Sequence, residues 1–200
     1  MIKSYSQSGQ DEYVAKTLDN LQDGYFLEVG AWNGIEFSNT YALEQEYGWT
    51  GLLVECDPAV THVLKTNRPK SIIDNRAVWS KSNEEVTFKS VDGGKLSGAV
   101  DLLSHPKGLA RNGKMFTINT ISLNDLLEYH KCPKHINYFS IDVEGSEYTI
   151  LSTYDFSHTF DVITIEHWND KDAIYDLLNS KGYKIAKTLR DVPETIFVRK

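Results

Sequence analysis

Four short apolar runs end in acidic residues, and these ends carry most of the chemistry the sequence can offer. Tyr25-Phe26-Leu27-Glu28-Val29 runs straight into Gly30-Ala31-Trp32-Asn33-Gly34, and Leu52-Leu53-Val54 ends in Glu55-Cys56-Asp57. Tyr138-Phe139-Ser140-Ile141 ends in Asp142-Val143-Glu144-Gly145, and Val162-Ile163-Thr164-Ile165 ends in Glu166-His167-Trp168. Each run reads as a buried strand. In open α/β sheets ligands sit beyond the carboxyl ends of the strands, so all four ends are expected to meet in one cleft.

The first two ends suit a nucleoside. Gly30 permits a sharp turn and Gly34 a close approach of the following helix. The spacing is GxxxG, not the GxGxxG that holds a pyrophosphate. An acid two residues before the first glycine suits a cationic ligand better, and Glu28 is placed to accept hydrogen bonds from a ligand amine. Glu55, one βα unit later, is where a carboxylate grips two ribose hydroxyls. The third strand closes with Asn75-Arg76-Ala77-Val78-Trp79. Ala77 and Val78 would flank an adenine there, and Trp79 reads as core. A plain tight turn and ordinary strand-end acids are the alternative reading of these residues.

The last two ends suit a reacting centre. Asp142, Glu144, Glu166 and His167 are oxygen and nitrogen donors, but no tight metal motif is present, so no metal is assigned. Were an ion bound, Asp142, Glu166 and His167 would hold it, with Glu144 as a further oxygen donor. Trp168 can stack on a sugar face or ring substrate, and it can equally pack into a core. The other histidines, at 62, 105, 130, 135 and 158, read as surface or loop residues.

These ends need an α/β scaffold to position them. Strand candidates are Gly24–Val29, Gly51–Cys56, Ser71–Val78, Ile136–Ile141, Asp161–Glu166, Tyr183–Thr188 and Thr195–Val198. Helix candidates are Asp11–Leu21, Ser38–Glu46, Pro58–Thr66, Ser122–Tyr129, Ser146–Thr153 and Lys171–Ser180. The alternation predicts a mostly parallel sheet flanked by helices. Asp57-Pro58 is a cap followed by a first-turn proline. Ser122, with Asp125 three residues on, is a capping-box-like start. The stretch Glu84–Asn119 breaks the rhythm with two β-like runs, Glu85–Ser90 and Met115–Thr120. The loop between them bears Gly93, Gly94, Gly98, Gly108 and Gly113. It reads either as a lid or as an ordinary hairpin.

At 200 residues with net charge −7, the chain is expected to be one domain, spanning 1–200 or excised from a larger protein. Basic residues are scattered, which argues against nucleic acid and anionic membranes as partners. No apolar stretch reaches membrane-spanning length. The polar start does not read as a signal peptide. Cys56 and Cys132 form no CxxC pair, and reduced thiols fit a cytoplasmic setting.

Taken together, the motifs resemble the FkbM-type S-adenosylmethionine (SAM) dependent methyltransferases. The resemblance rests on Tyr5-Ser6-Gln7-Ser8-Gly9-Gln10-Asp11, the Phe26–Gly34 turn, Phe37–Glu44, Gly48–Glu55, Ser140–Glu147 and Ile163–His167. Two departures are Glu28, where many relatives carry Asp, and Cys56-Asp57-Pro58 after the second acid. The resemblance implies a Rossmann-like class I methyltransferase with a seven-stranded sheet, SAM as donor and transfer to oxygen. It implies a cofactor set of Gln7, Gln10, Glu28, Gly30, Ala31, Asn33, Gly34, Ser38, Glu55, Cys56, Ala77, Val78 and Asp142. Gln7 and Gln10 would belong to a polar clamp, though the opening motif can equally be a helix lead-in.

The acceptor it implies is a hydroxyl of a glycan sugar or of a small natural product, with fusion to a glycosyltransferase as one context. Proton removal then falls to His167, which titrates near neutrality, or to Asp142, which can instead hold the cofactor's amino group; Glu166 stands beside them. Glu144 and Trp168 would meet the acceptor. A histidine merely satisfied at a strand end is the alternative for His167. A non-catalytic nucleotide-binding module is the alternative for the chain.

Overall fold

The computed structural model describes residues 2–102, 112–189 and 192–200. Its helices are α1 (Gln10–Thr17), α2 (Tyr41–Tyr47), α3 (Thr61–Asn67), α4 (Leu123–Tyr129), α5 (Glu147–Leu151) and α6 (Lys171–Ser180). Its strands are β1 (Tyr25–Val29), β2 (Thr50–Val54), β3 (Ile72–Asp74), β4 (Ala77–Trp79), β5 (Glu85–Ser90) and β6 (Gly98–Ala99). They continue with β7 (Lys114–Ser122), β8 (His135–Ile141), β9 (Thr159–Glu166), β10 (Tyr183–Thr188) and β11 (Glu194–Arg199).

Seven strands form the main sheet in the order β10-β11-β9-β8-β1-β2-β3. The pairs from β9 to β3 are parallel, and β11 enters antiparallel between β9 and β10. The order reverses between β1 and β8, and this switch point opens the cleft. This is a Rossmann-like architecture with the mostly parallel sheet that the alternation predicts and the seven strands that the resemblance implies.

Strand parity sorts the two faces. Leu27, Val29, Leu52, Val54, Phe139, Ile141, Ile163 and Ile165 pack on one side with Leu126, Ile150, Ile174 and Leu178 of α4, α5 and α6. Phe26, Leu53, Tyr138 and Val162 pack on the other with Val14, Leu43 and Leu64 of α1, α2 and α3. Almost all of these side chains are fully buried, and both faces being covered explains why the strands read as continuous apolar runs.

The strand expected over Ser71–Val78 is two strands in two sheets. Asp74 accepts hydrogen bonds from the Arg76 backbone N–H (2.9 Å) and guanidinium (2.5 Å). That local turn bends the chain out of the main sheet, so Ala77–Trp79 pairs instead with β7. The second sheet runs β4-β7-β5-β6. The Glu84–Asn119 stretch therefore contains an antiparallel β5–β7 hairpin with register Glu85 to Asn119 through Ser90 to Lys114. Gly108 and His105 lie outside the described residues.

Helix starts follow their caps in one case of two. Ser122 accepts a hydrogen bond from the Asp125 N–H at 3.1 Å, as its spacing predicts. α3 starts at Thr61 instead of Pro58: Asp57 accepts from the Ala59 N–H (2.8 Å) and closes a separate turn first. Two histidines expected at the surface are partly or fully buried. His158 is buried, and the His130 ring lies 2.8 Å from Asp74. Among the described residues no helix is long and apolar enough to cross a membrane.

Candidate active site

A cleft of about 490 Å³ lies at the carboxyl ends of β1, β2, β8 and β9. That volume is in the usual range for a small-molecule site. Gln7, Glu28, Gly30, Ala31, Ser38, Glu55, Cys56, Ala77, Val78, Asp142, Glu144, Glu166 and Trp168 line it. Gln10, Asn33, Gly34 and His167 are not among its lining residues.

Gly30 is placed by necessity. Its φ is +90°, and an added Cβ would lie 1.8 Å from the Asp142 carbonyl oxygen. The close approach brings the β1 and β8 ends together, with the Asp142 N–H donating to the Val29 carbonyl at 3.0 Å. Gly34 serves packing: its φ is +78°, and a Cβ there would meet Leu64 and Arg68 at 2.4 and 2.8 Å. Asn33 accepts from the Ile35 and Glu36 N–H groups, both at 2.9 Å, and so shapes the turn.

Glu28 differs from its expected use. It shares the parity of Phe26, so its side chain lies on the α1–α3 face. Its carboxylate accepts from Ser38 Oγ (3.0 Å), the Asn39 N–H (2.8 Å) and Thr40 Oγ1 (2.5 Å), with Arg68 Nη1 at 4.0 Å. Burial raises its pKa despite those partners. Glu28 thus anchors the loop before α2 at the edge of the cleft, with its carboxylate already engaged by that loop. Gln10 is likewise committed inside the protein, donating from Nε2 to Glu194 Oε2 at 2.5 Å. Asp11 gathers the opening motif by accepting from Ser4 Oγ, Ser6 Oγ and the Tyr5 N–H. Gln7, in the same motif, reaches the cleft.

Glu55 accepts from the Trp32 N–H (2.9 Å) and the Asp57 N–H (2.7 Å), one on each oxygen. Burial pushes its pKa up to about 7. One carboxylate oxygen each from Asp142, Glu144 and Glu166 lies within 4.8 Å of the others. Burial, followed by the Asp142 charge, raises the pKa values of Glu144 and Glu166 well above the ordinary carboxylate range. The cleft therefore has one wall of crowded acids.

His167 does not join that wall. It continues the parity of Ile163 and Ile165 and turns toward α6. There its Nε2 lies 2.9 Å from Thr195 Oγ1 and 3.4 Å from Tyr175 Oη. The Tyr175 and Thr195 hydroxyls are themselves 2.5 Å apart. Desolvation lowers the His167 pKa. Glu166, of opposite parity, faces the cleft instead. This corrects His167 both as proton acceptor and as metal ligand, and Glu144 takes its place in the cluster of donors. His167→Ala is expected to lower turnover less than about tenfold while costing about 1–3 kcal/mol of stability through the lost hydrogen bond to Thr195 and the lost packing of a buried ring. Steady-state rates and urea melts check this; a thousandfold rate loss in a stably folded variant would restore the histidine.

The hairpin contributes residues that sequence reasoning did not single out. Phe88, Asp92, Gly94, Lys95, Leu96 and Ser97 line the cleft from the second sheet. Ser97 Oγ donates to Asp57 Oδ2 at 3.0 Å, and Trp32 Nε1 donates to the Gly93 carbonyl at 3.1 Å. Lys95 Nζ stands 3.9 Å from the Phe37 ring centroid. Trp32 and Phe37 have φ values of 44° and 59°, uncommon for residues with a side chain. The glycine-bearing stretch was the available signal, and its residues 92–97 form a roof over the Gly30–Gly34 turn.

No curated protein matches the chain in sequence. Solved structures resemble it at low identity. A candidate RNA methyltransferase from Pyrococcus horikoshii is 10% identical, with a TM-score of 0.49 over 95% of this chain and 81% of that one. A TehB-like SAM-dependent methyltransferase from Corynebacterium glutamicum is 10% identical, with a TM-score of 0.46 over 98% and 89%. TrmK of M. capricolum, in complex with S-adenosylhomocysteine (SAH), is 10% identical, with a TM-score of 0.47 over 99% and 68%. The family model of the methyltransferase FkbM domain matches residues 28–185, most of the chain, and the protein belongs to that family of SAM-dependent methyltransferases.

Proposed function

We propose that the protein is an O-methyltransferase, that residues 1–200 act as one domain, and that the acceptor is a sugar hydroxyl. The carrying observation is the gathering of Asp142, Glu144 and Glu166 on one wall of the cleft. Carboxyl groups there, with Glu144 and Glu166 held protonated by burial, can both give hydrogen bonds to hydroxyls and accept them, which supports a polyol as acceptor. Trp168 offers a face to a sugar ring. A small hydroxyl compound that is not a sugar is the second reading, favoured by the apolar hairpin side chains Phe88 and Leu96 facing the same space.

In this reading the Gly30-Ala31 turn meets the amino-acid end of SAM, Glu55 takes the ribose hydroxyls, and Cys56, Ala77 and Val78 meet the adenine. Gln7 and Ser38 lie on the same side of the cleft. The acceptor oxygen attacks the methyl carbon in line. The C–S bond breaks with its electron pair going to sulfur, which leaves SAH. The hydroxyl proton passes to Asp142. Positioning supplies about 7–11 kcal/mol in ideal cases, and a proton acceptor adds about 10²–10⁴-fold.

Labelled methyl transfer from SAM to a panel of glycosides tests the proposal. Transfer to amines or nucleobases with none to hydroxyls would overturn it; transfer to phenols or aliphatic alcohols alone would select the second reading.

Glu55 gives a pH signature. Ribose hydroxyls donate to its ionised form, so ligand binding must expel the proton held below pH 7. SAH affinity is expected to rise about tenfold between pH 6 and pH 8. Calorimetry across that range should show the rise in the native chain and a flat profile in Glu55→Gln. A flat native profile would remove Glu55 from the ribose site.

A further inference from the structure

We propose that Lys95, in the roof over the Gly30–Gly34 turn, binds the carboxylate at the amino-acid end of the cofactor. The inference rests on the reading that places this end of SAM on the Gly30–Ala31 turn, and not on the identity of the acceptor. SAM and SAH each carry a carboxylate, which a partly closed cleft must match with a cation or with several N–H donors.

The turn itself has few donors left to give. The Gly30 and Ala31 N–H groups both donate to the Val54 carbonyl at 3.0 Å, and the Gly34 N–H donates to the Ala31 carbonyl at 2.9 Å. The Trp32 N–H goes to Glu55, and those of Ile35 and Glu36 go to Asn33. Nor does the turn lead straight into a helix whose N-terminus could take an anion. The next helix, α2, begins only at Tyr41, beyond the loop that Glu28 holds.

A side-chain cation must therefore do the work. Among the described residues two line the cleft, Arg76 and Lys95. Arg76 is already bidentate to Asp74, with Nε 3.0 Å from Oδ1 and Nη2 2.5 Å from Oδ2. Lys95 makes no ion pair among the described residues. Its Nζ lies 3.9 Å from the Phe37 ring centroid and 5.6 Å from that of Trp32. Those two rings are stacked, with centroids 6.2 Å apart and planes at 21°. Aromatic faces attract an ammonium without consuming its N–H donors, so these stay available to an anion.

Trp32 fixes where that ammonium stands. Its indole N–H donates to the Gly93 carbonyl at 3.1 Å, which ties the roof to the turn. Lys95 thus sits at the Trp32 end of the turn, while the acidic wall adjoins the Gly30 end through the Asp142 backbone. A zwitterionic head group on the turn then has one favoured direction, amine toward the wall and carboxylate toward the roof. The hairpin so becomes the reader of the cofactor's amino-acid end, separating SAM from nucleosides that lack it.

Calorimetry of the full chain at pH 8 tests this with SAH and with decarboxylated SAH, which keeps the amine and lacks the carboxylate. The native chain is expected to prefer SAH by about tenfold or more. Lys95→Met keeps the length of the side chain and its contact with the rings. It should weaken SAH by about tenfold and leave the decarboxylated probe within about twofold, whereas Lys95→Arg should retain the preference. A preference unchanged in Lys95→Met would overturn the inference. Equal weakening of both probes would also overturn it, making the lysine a packing residue of the roof. So would equal affinity of the native chain for the two probes, which would leave the ammonium to an anion on the acceptor. Glu55→Gln, measured alongside, separates two kinds of failure. SAH binding weakened there but untouched in Lys95→Met removes only the lysine. SAH binding untouched in both variants removes the placement of the cofactor as well.

Discussion

Arg68→Leu is expected to cost about 3–5 kcal/mol of stability at pH 8, the usual loss when one partner of a buried ion pair is removed. Arg68 is fully buried. Its Nε donates to Glu44 Oε2 at 3.0 Å, its Nη1 to the Gly34 carbonyl at 3.0 Å, and its Nη2 to Thr40 Oγ1 at 3.1 Å. Glu28 stands 4.0 Å away. Leucine would leave two carboxylates in the interior with no cation. Glu28 already has a raised pKa because of burial, and losing Arg68, which lowers it, raises it further. A carboxyl whose folded pKa exceeds its unfolded value destabilises progressively as pH climbs above the unfolded value. The loss should therefore be smaller at pH 5 than at pH 8. Urea denaturation at both values measures it, and a deficit under 1 kcal/mol at pH 8 would show that the pair contributes little. Adding Glu28→Gln and Glu44→Gln should recover much of the deficit. The same arginine shapes the Gly34–Thr40 loop, so SAH affinity should fall in the single variant.

This network marks the limit of what a single sequence can display. The β1 and β2 ends are legible because a buried strand followed by glycine leaves a local pattern. The acid at 28 looks the same whether it faces a ligand or the interior, and what decides is Arg68, forty residues away. Parity along β1 was the usable hint, since Glu28 falls on the same side as Phe26. A similar parity argument separates Glu166 from His167 on β9. Adjacent acid and imidazole invite a joint role, but neighbouring strand residues face opposite ways. The Asp142–Glu144–Glu166 wall was partly visible, because strand order places the ends of β8 and β9 side by side. The roof was not, since β5 and the 92–97 segment after it are brought to the Gly30–Gly34 turn only through the pairing of β5 with β7 and of β7 with β4. The break inside Ser71–Val78 has a local cause, the Asp74–Arg76 turn, that apolar content alone does not reveal.

Asp142→Asn is expected to lower turnover by about 10²–10⁴-fold while leaving SAH affinity within a few-fold of the parent. The amide keeps the size and the backbone contacts of the residue. In particular, the Asp142 carbonyl against Gly30 and its N–H to Val29 remain. What disappears is an anionic acceptor for the hydroxyl proton in the wall shared with Glu144 and Glu166. Burial and the Asp142 charge keep Glu144 and Glu166 protonated at neutral pH, and neutralising Asp142 removes that second cause, so the melting temperature should hold or rise and a loss of activity is not explained by lost stability. The split between kcat and cofactor affinity assigns the role. A collapse of SAH binding with kcat preserved at saturation would mean that Asp142 holds the cofactor's amino group and that another carboxylate takes the proton. Full turnover with full affinity would remove Asp142 from the chemistry. The contrast with His167→Ala is then direct, because parity puts one residue in the cleft and the other behind its wall. The aspartate should govern rate and the histidine stability.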